Sequence, residues 1–75
     1  MEKLLEYLAQ SLVDSPGDVS VTRVENDHSI VLELRVAQED MGRVIGKQGR
    51  IAKAIRTVIK AATANEKKRV MVEII

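Results

Sequence analysis

Seventy-five residues, 45% of them apolar, suffice for one small hydrophobic core, so one domain is expected over residues 1–75, and a core this small favours association with another chain. The absence of cysteine removes disulfides, thiolate metal sites and thiol nucleophiles, which fits a reducing compartment such as the cytoplasm; no apolar run approaches the roughly 20 residues that span a bilayer, and Glu2 and Glu6 stand where a signal peptide would be basic and then apolar. The net charge of +1 conceals a segregation, because residues 1–40 hold three basic and nine acidic side chains, whereas from Met41 onward nine basic ones (Arg43, Lys47, Arg50, Lys53, Arg56, Lys60, Lys67, Lys68 and Arg69) stand against Glu66 and Glu73 alone.

A segregated positive surface attracts polyanions even when the total charge is near zero, since local potential steers association. The plain alternative is a solvated helix face.

Leu4, Leu5, Leu8 and Leu12 recur at helical spacing among Glu2, Lys3, Glu6 and Gln10, which predicts an amphipathic helix over Glu2–Val13. Asp14-Ser15-Pro16-Gly17-Asp18 combines a helix breaker, a permissive glycine and Asx-type turn formers, and ends it. Val19, Val21 and Val24 alternate with polar residues as in a half-buried strand, and Asn26-Asp27-His28-Ser29 is its turn. Ile30–Ala37 places Ile30, Leu32, Leu34 and Val36 on one face, and the short connection favours an antiparallel hairpin. Gln38–Asp40 begins a short helix that ends at Gly46, with acidic side chains at its positive N-terminal end. Gly49 opens a longer helix, its apolar stripe formed by Ile51, Ile55, Val58, Ile59 and Ala62, ending around Ala64-Asn65. Arg69–Ile75 is the closing strand, and a right-handed crossover makes it parallel to Ile30–Ala37 in a mixed three-stranded sheet with helices packed on one face.

The stretch Arg43-Val44-Ile45-Gly46-Lys47-Gln48-Gly49-Arg50-Ile51-Ala52-Lys53 carries the chemistry. Two glycines flank a polar pair between two helices. Glycine removes the side-chain bulk that would hold a ligand off the backbone and permits positive φ, so a sugar-phosphate chain could lie against the turn. The start of the following helix directs unpaired amides and a positive dipole end at the same place, and Lys47, Arg50 and Arg43 add charge. Two glycines three apart are by themselves a weak signal, since a helix-turn-helix connection needs glycine for steric reasons alone.

Context makes the signal specific. Val44-Ile45-Gly46-x-x-Gly49-x-Ile51, set between a short helix and a long one in a chain ordered α-β-β-α-α-β, resembles the KH family in its type II form, an α+β fold with three helices on one face of a three-stranded mixed sheet. The resemblance covers essentially all 75 residues and is to bacterial stand-alone KH proteins of the KhpA type. It implies single-stranded RNA binding, an RNA chaperone role in the bacterial cytoplasm, links to cell-shape and envelope regulation, and pairing as a homodimer or as a heterodimer with a larger KH protein of the KhpB (Jag) type. Carried onto this sequence, it implies that Gly46, Lys47, Gln48 and Gly49 clamp the RNA backbone and that Val44, Ile45 and Ile51 line an apolar floor. The opposite wall is expected from the strand around Leu34 and Val36, with Lys67 and Lys68 reaching phosphates from the Thr63–Lys68 loop. Lys53, Arg56 and Lys60 cluster away from the Ile55-Val58-Ile59 stripe and could extend the footprint, although solvated basic residues are common on helix exteriors.

The remaining polar residues read plainly. His28 is a lone histidine in a turn, the serines lack a histidine constellation, and Glu39-Asp40 fits helix-start electrostatics, so neither catalysis nor a cofactor or metal is expected. Tyr7 is the only aromatic, so bases would be held by aliphatic contacts and backbone hydrogen bonds in place of stacking platforms. The competing reading is a KH-fold dimerisation or interaction module, supported by the small core and by Ala52, Ala54, Ala61 and Ala62, which allow close helix approach. Single-stranded DNA differs from RNA by 2′-hydroxyl contacts that sequence does not display.

Overall fold

A computed structural model describes the backbone of residues 1–75 and every side chain except those of Lys47 and Gln48. The elements run α1 (Glu2–Leu12), a 3₁₀ turn (Pro16–Asp18), β1 (Ser20–Glu25), β2 (Ser29–Arg35), α2 (Gln38–Ala62) and β3 (Arg69–Ile74). Among the described residues, no helix is long and apolar enough to cross a membrane.

The hairpin turns on one side chain. Asn26 Oδ1 accepts the backbone N–H groups of His28 at 2.8 Å and Ser29 at 2.7 Å, while the Asn26 N–H donates to the Ser29 carbonyl at 2.9 Å. This Asx-type closure fixes the register of β1 against β2, with Val24 opposite Val31 and Val21 opposite Leu34. β3 returns parallel to β2, with Val31 opposite Met71 and Leu32 opposite Val72, so the sheet order is β1-β2-β3 with β2 in the centre.

The helices cover one face of that sheet. Ile30, Leu32 and Leu34 of β2 are buried, and so are Leu5 and Ala9 of α1, Ile55 and Ile59 of α2, and Val72 of β3. Burying each of the larger side chains contributes about 1.5–3 kcal/mol, so this cluster is where the stability of so short a chain resides. On the opposite face Val24 and Met71 remain substantially exposed.

α2 differs from expectation. The sequence places a helix end at Gly46, yet the helical path continues through Gln38–Ala62 and its departure from right-handed backbone falls at Gly49, at φ +68°. One residue suffices to turn the chain, because glycine enters the left-handed region without the Cβ clash that other residues meet there. A right-handed helix does not continue straight through such a residue, so α2 is two arms meeting at Gly49 and the order α-β-β-α-α-β holds. The apolar stripe of the second arm is also narrower than expected: Ala52, Ile55 and Ile59 are buried and Ile51 half-buried, whereas Val58 and Ala62 are exposed. At about 100° per residue Val58 and Ala62 lie on the rim of the stripe, beyond the reach of the sheet.

The first arm is anchored by a buried carboxylate. Asp40 is 1% exposed and accepts the backbone N–H groups of Asp14 at 3.2 Å and Ser15 at 3.0 Å, tying the turn after α1 to the first turn of α2. Arg43 adds a two-pronged ion pair to Asp14, at 2.9 and 2.8 Å. These contacts fix where the arm points, and hence where its far end presents Gly46 and Gly49. Replacing Asp40→Ala would strand two amide donors and is expected to lower stability by about 1–3 kcal/mol in urea unfolding; a variant as stable as the parent would contradict the anchoring role.

Candidate nucleic-acid interface

Gly46 and Gly49 lie at the junction of the two arms, and a Cβ built on either meets nothing within 4 Å among the described residues. The junction is therefore open on its outer side, as a surface must be if a bulky backbone is to approach it. Lys47 and Gln48, the polar pair of the expected clamp, have side chains outside the described residues. Ile45 is 53% exposed beside the junction, and Arg50 and Lys53 are exposed on the first turns of the second arm. Two expected positions turn inward: Val44 is 1% exposed, so it supports the first arm from within and offers no surface, and Ile51 packs against the core. Both follow helical periodicity, which cannot point every apolar residue of one arm at the same side. Arg43 is spent on Asp14, whose hydrogen bonds and charge hold its guanidinium protonated.

The second arm and β3 enclose a groove of about 680 Å³. Arg56, Ile59, Lys60 and Thr63 line the helical side, Val70, Val72 and Glu73 the strand side, and Glu66 and Lys68 stand at the loop end. Around the arm the basic residues Lys53, Arg56 and Lys60 form a flank adjacent to the buried stripe, and Arg56 and Lys60 of it line the groove against β3. The other flank, with Ala54, Val58 and Ala61, is exposed and uncharged.

The strand wall is not the expected one. Leu34 is fully buried in β2, and Val36 packs against the core. β2 is hydrogen-bonded on both sides, so it has no edge to offer; β1 and β3 are the edges, and β3 is the one that lines the groove. Arg69 N–H donates to the His28 carbonyl at 3.2 Å and Ile75 N–H to the Leu34 carbonyl at 2.9 Å, so the odd-numbered residues of β3 face β2. By the alternation of a parallel ladder, the main-chain groups of Val70, Val72 and Ile74 face the groove. A sequence with two apolar strands gives no sign of which one is central; only the crossover order, parallel on the far side of β2, would have located the edge.

Charges at the loop end are already partnered. Glu25 pairs with Lys68 and with Arg23, and Arg23 reaches Glu2 at 3.1 Å, a chain of ions joining α1, β1 and the 63–68 loop. Lys68, expected to reach phosphates, thus spends its charge on Glu25. The hydrogen bonds from Lys68 and Arg23 hold the Glu25 carboxyl below its ordinary range. A depressed carboxylate contributes stability that is present above its unfolded value near 4.5 and fades as the pH falls, although solvent screening keeps the effect small at so exposed a position.

A sequence profile described as KhpA/KhpB, KH domain, matches residues 2–74. A protein named RNA-binding protein KhpA from Clostridium acetobutylicum is 68% identical over 75 residues, covering the whole of both chains. Its namesake from Clostridium perfringens is 64% identical over the same span of both chains, and one from Treponema pallidum is 49% identical over 74 residues, covering 99% of this chain and 92% of its own. No solved structure matches.

The two glycines of the junction should respond oppositely to alanine. Gly49→Ala forces a Cβ into the left-handed region and is expected to cost about 1–2 kcal/mol. Gly46→Ala, in helical backbone with free space around it, is expected to gain about 0.5–1 kcal/mol. Thermal unfolding of both variants reads the difference, and equal shifts would show that Gly49 does not carry the reversal.

Proposed function

The chain belongs to the KhpA/KhpB KH-domain family, and on that premise we propose that it binds single-stranded RNA along the second arm of α2, with the Gly46-Lys47-Gln48-Gly49 junction holding the sugar-phosphate backbone and the groove against β3 receiving the bases. The observation that carries this reading is the groove of about 680 Å³, bounded by a basic helical flank on one side and by the free main-chain edge of β3 on the other. Phosphates are attracted to the flank and the junction, which supply affinity without sequence information, while the strand edge offers donors and acceptors of fixed geometry to bases. RNA in preference to single-stranded DNA follows from the names of the relatives.

Arg50 and Lys53 lead from the junction into the groove, and Ile45 supplies exposed apolar surface beside it. Arg43 contributes through Asp14, by orienting the first arm. Without aromatic platforms, affinity per chain should be modest, which suits transient remodelling of RNA and a chaperone role. We further place pairing with a second KH chain, a copy of this one or a larger KhpB-type protein, on the uncharged flank of Ala54, Val58 and Ala61, which is exposed and faces away from the groove. Ala52 is buried and takes no part. Links to cell shape rest on the family resemblance alone.

Lys47→Asp combined with Gln48→Asp leaves both glycines in place and puts two carboxylates where the RNA backbone is proposed to lie. Surface substitutions of this kind change stability by no more than about 0.5 kcal/mol, so thermal unfolding and sedimentation should match the parent. Binding to a short single-stranded RNA should collapse, and the parent's affinity should fall steeply between low and high salt as phosphate contacts are screened. A well-folded double variant that binds at parental affinity would remove the junction from the site.

A further inference from the structure

Arg56 reaches across the groove. Its Nε donates to the main-chain carbonyl of Val72 at 3.3 Å, a partly buried contact, and Val72 is one of the residues whose main-chain groups face outward from the sheet edge. Two consequences follow. The Val72 carbonyl has one of its two lone pairs engaged by the protein itself. The guanidinium, fixed through Nε, has terminal nitrogens that make no hydrogen bond to the protein among the described residues, so its remaining donors are available to the groove. The middle of the groove therefore presents an oriented set of donors. Arg56 itself is exposed and forms no ion pair among the described residues, although Glu66 and Glu73 line the same groove.

A planar fork of donors suits a base edge that presents two adjacent acceptors. Guanine does so with O6 and N7, and cytosine with O2 and N3. Adenine sets its N1 and N7 acceptors beside the N6 amino donor, and uracil separates its two carbonyls with an N–H, so neither offers the fork two adjacent acceptors. Lysine could not replace arginine here, because an ammonium is a point charge without the bidentate geometry.

Resting on the groove reading above, we propose that Arg56 is a specificity-determining residue, pre-positioned by the Val72 carbonyl to select guanine or cytosine over adenine and uracil at one nucleotide of the bound strand.

Uridine heptamers carrying a single adenosine, cytidine or guanosine at each position in turn, titrated by fluorescence anisotropy, test this. The parent is expected to bind the guanosine or cytidine heptamer about tenfold more tightly at one position, the scale of a good bidentate contact. Arg56→Lys should keep the affinity for all-uridine RNA within about twofold, with an unchanged salt dependence, and lose the preference. Arg56→Gln should lose the preference and also some of the salt dependence. A preference that survives in Arg56→Lys, or a parent that binds all the heptamers alike, overturns the role of Arg56 while leaving RNA binding in place. A parent that binds none of them overturns the groove reading and this inference together. Arg56 lies on the surface, and matching melting curves for the two variants would exclude unfolding as the cause of a lost preference.

Discussion

The candidate site depends on the burial of one face of β2. Ile30, Leu32 and Leu34 lie at 2%, 0% and 0% exposure under two helices, while both edges of the strand are hydrogen-bonded to neighbours. A strand so committed can be only a scaffold. Because β1 enters by a hairpin and takes one side, the crossover through α2 must deliver β3 to the other, which leaves β3 as one of two edges and sets the second arm beside it. The groove is the space between a helix that packs on the sheet face and a strand that ends the sheet.

Charge is distributed to match. Acidic side chains in the first half of the chain serve the frame: Asp40 ties the turn after α1, Asp14 holds Arg43, and Glu25 holds Lys68 and Arg23. Each uses a carboxylate to fix an element whose position matters to the groove. The basic residues left over, Arg50, Lys53, Arg56 and Lys60, run from the junction along the second arm. A near-neutral total thus coexists with a positive flank, so steering of a polyanion comes from local potential. The exposed face of the sheet carries Glu33 opposite Glu73, a like-charge pair that makes it a poor surface for nucleic acid.

Much of this was legible in the sequence because the signals are local. The leucines of α1, the Pro-Gly turn, the Asn26 turn, and the alternation of Ile30, Leu32 and Leu34 each specify an element by spacing, and the two glycines with their basic neighbours mark the junction. What could not be read depends on non-local packing. The wall of the groove belongs to β3, and Leu34 and Val36 were misplaced there because alternation tells faces from one another without telling a central strand from an edge. Val44 was misplaced for a similar reason, since an apolar residue beside an exposed glycine turn is pulled inward by the phase of its helix. The partners of Arg43 and Lys68 lie 29 and 43 residues away along the chain, beyond any spacing rule. The continuity of α2 up to Gly49 was hidden because glycine is compatible with both helix and break, and only its φ decides.

The central claim is that a single strand of RNA lies between the second arm of α2 and the free edge of β3. Titrating isotopically labelled protein with a short single-stranded RNA and following backbone amide resonances locates the strand without perturbing any residue. The account predicts that the largest shifts fall on Gly46 to Arg50, on Lys60, and on Val70 and Val72, whose amides face the groove. Shifts concentrated on Tyr7 of α1, or on Val24, Val31 and Glu33 of the opposite sheet face, with the β3 edge silent, would contradict it.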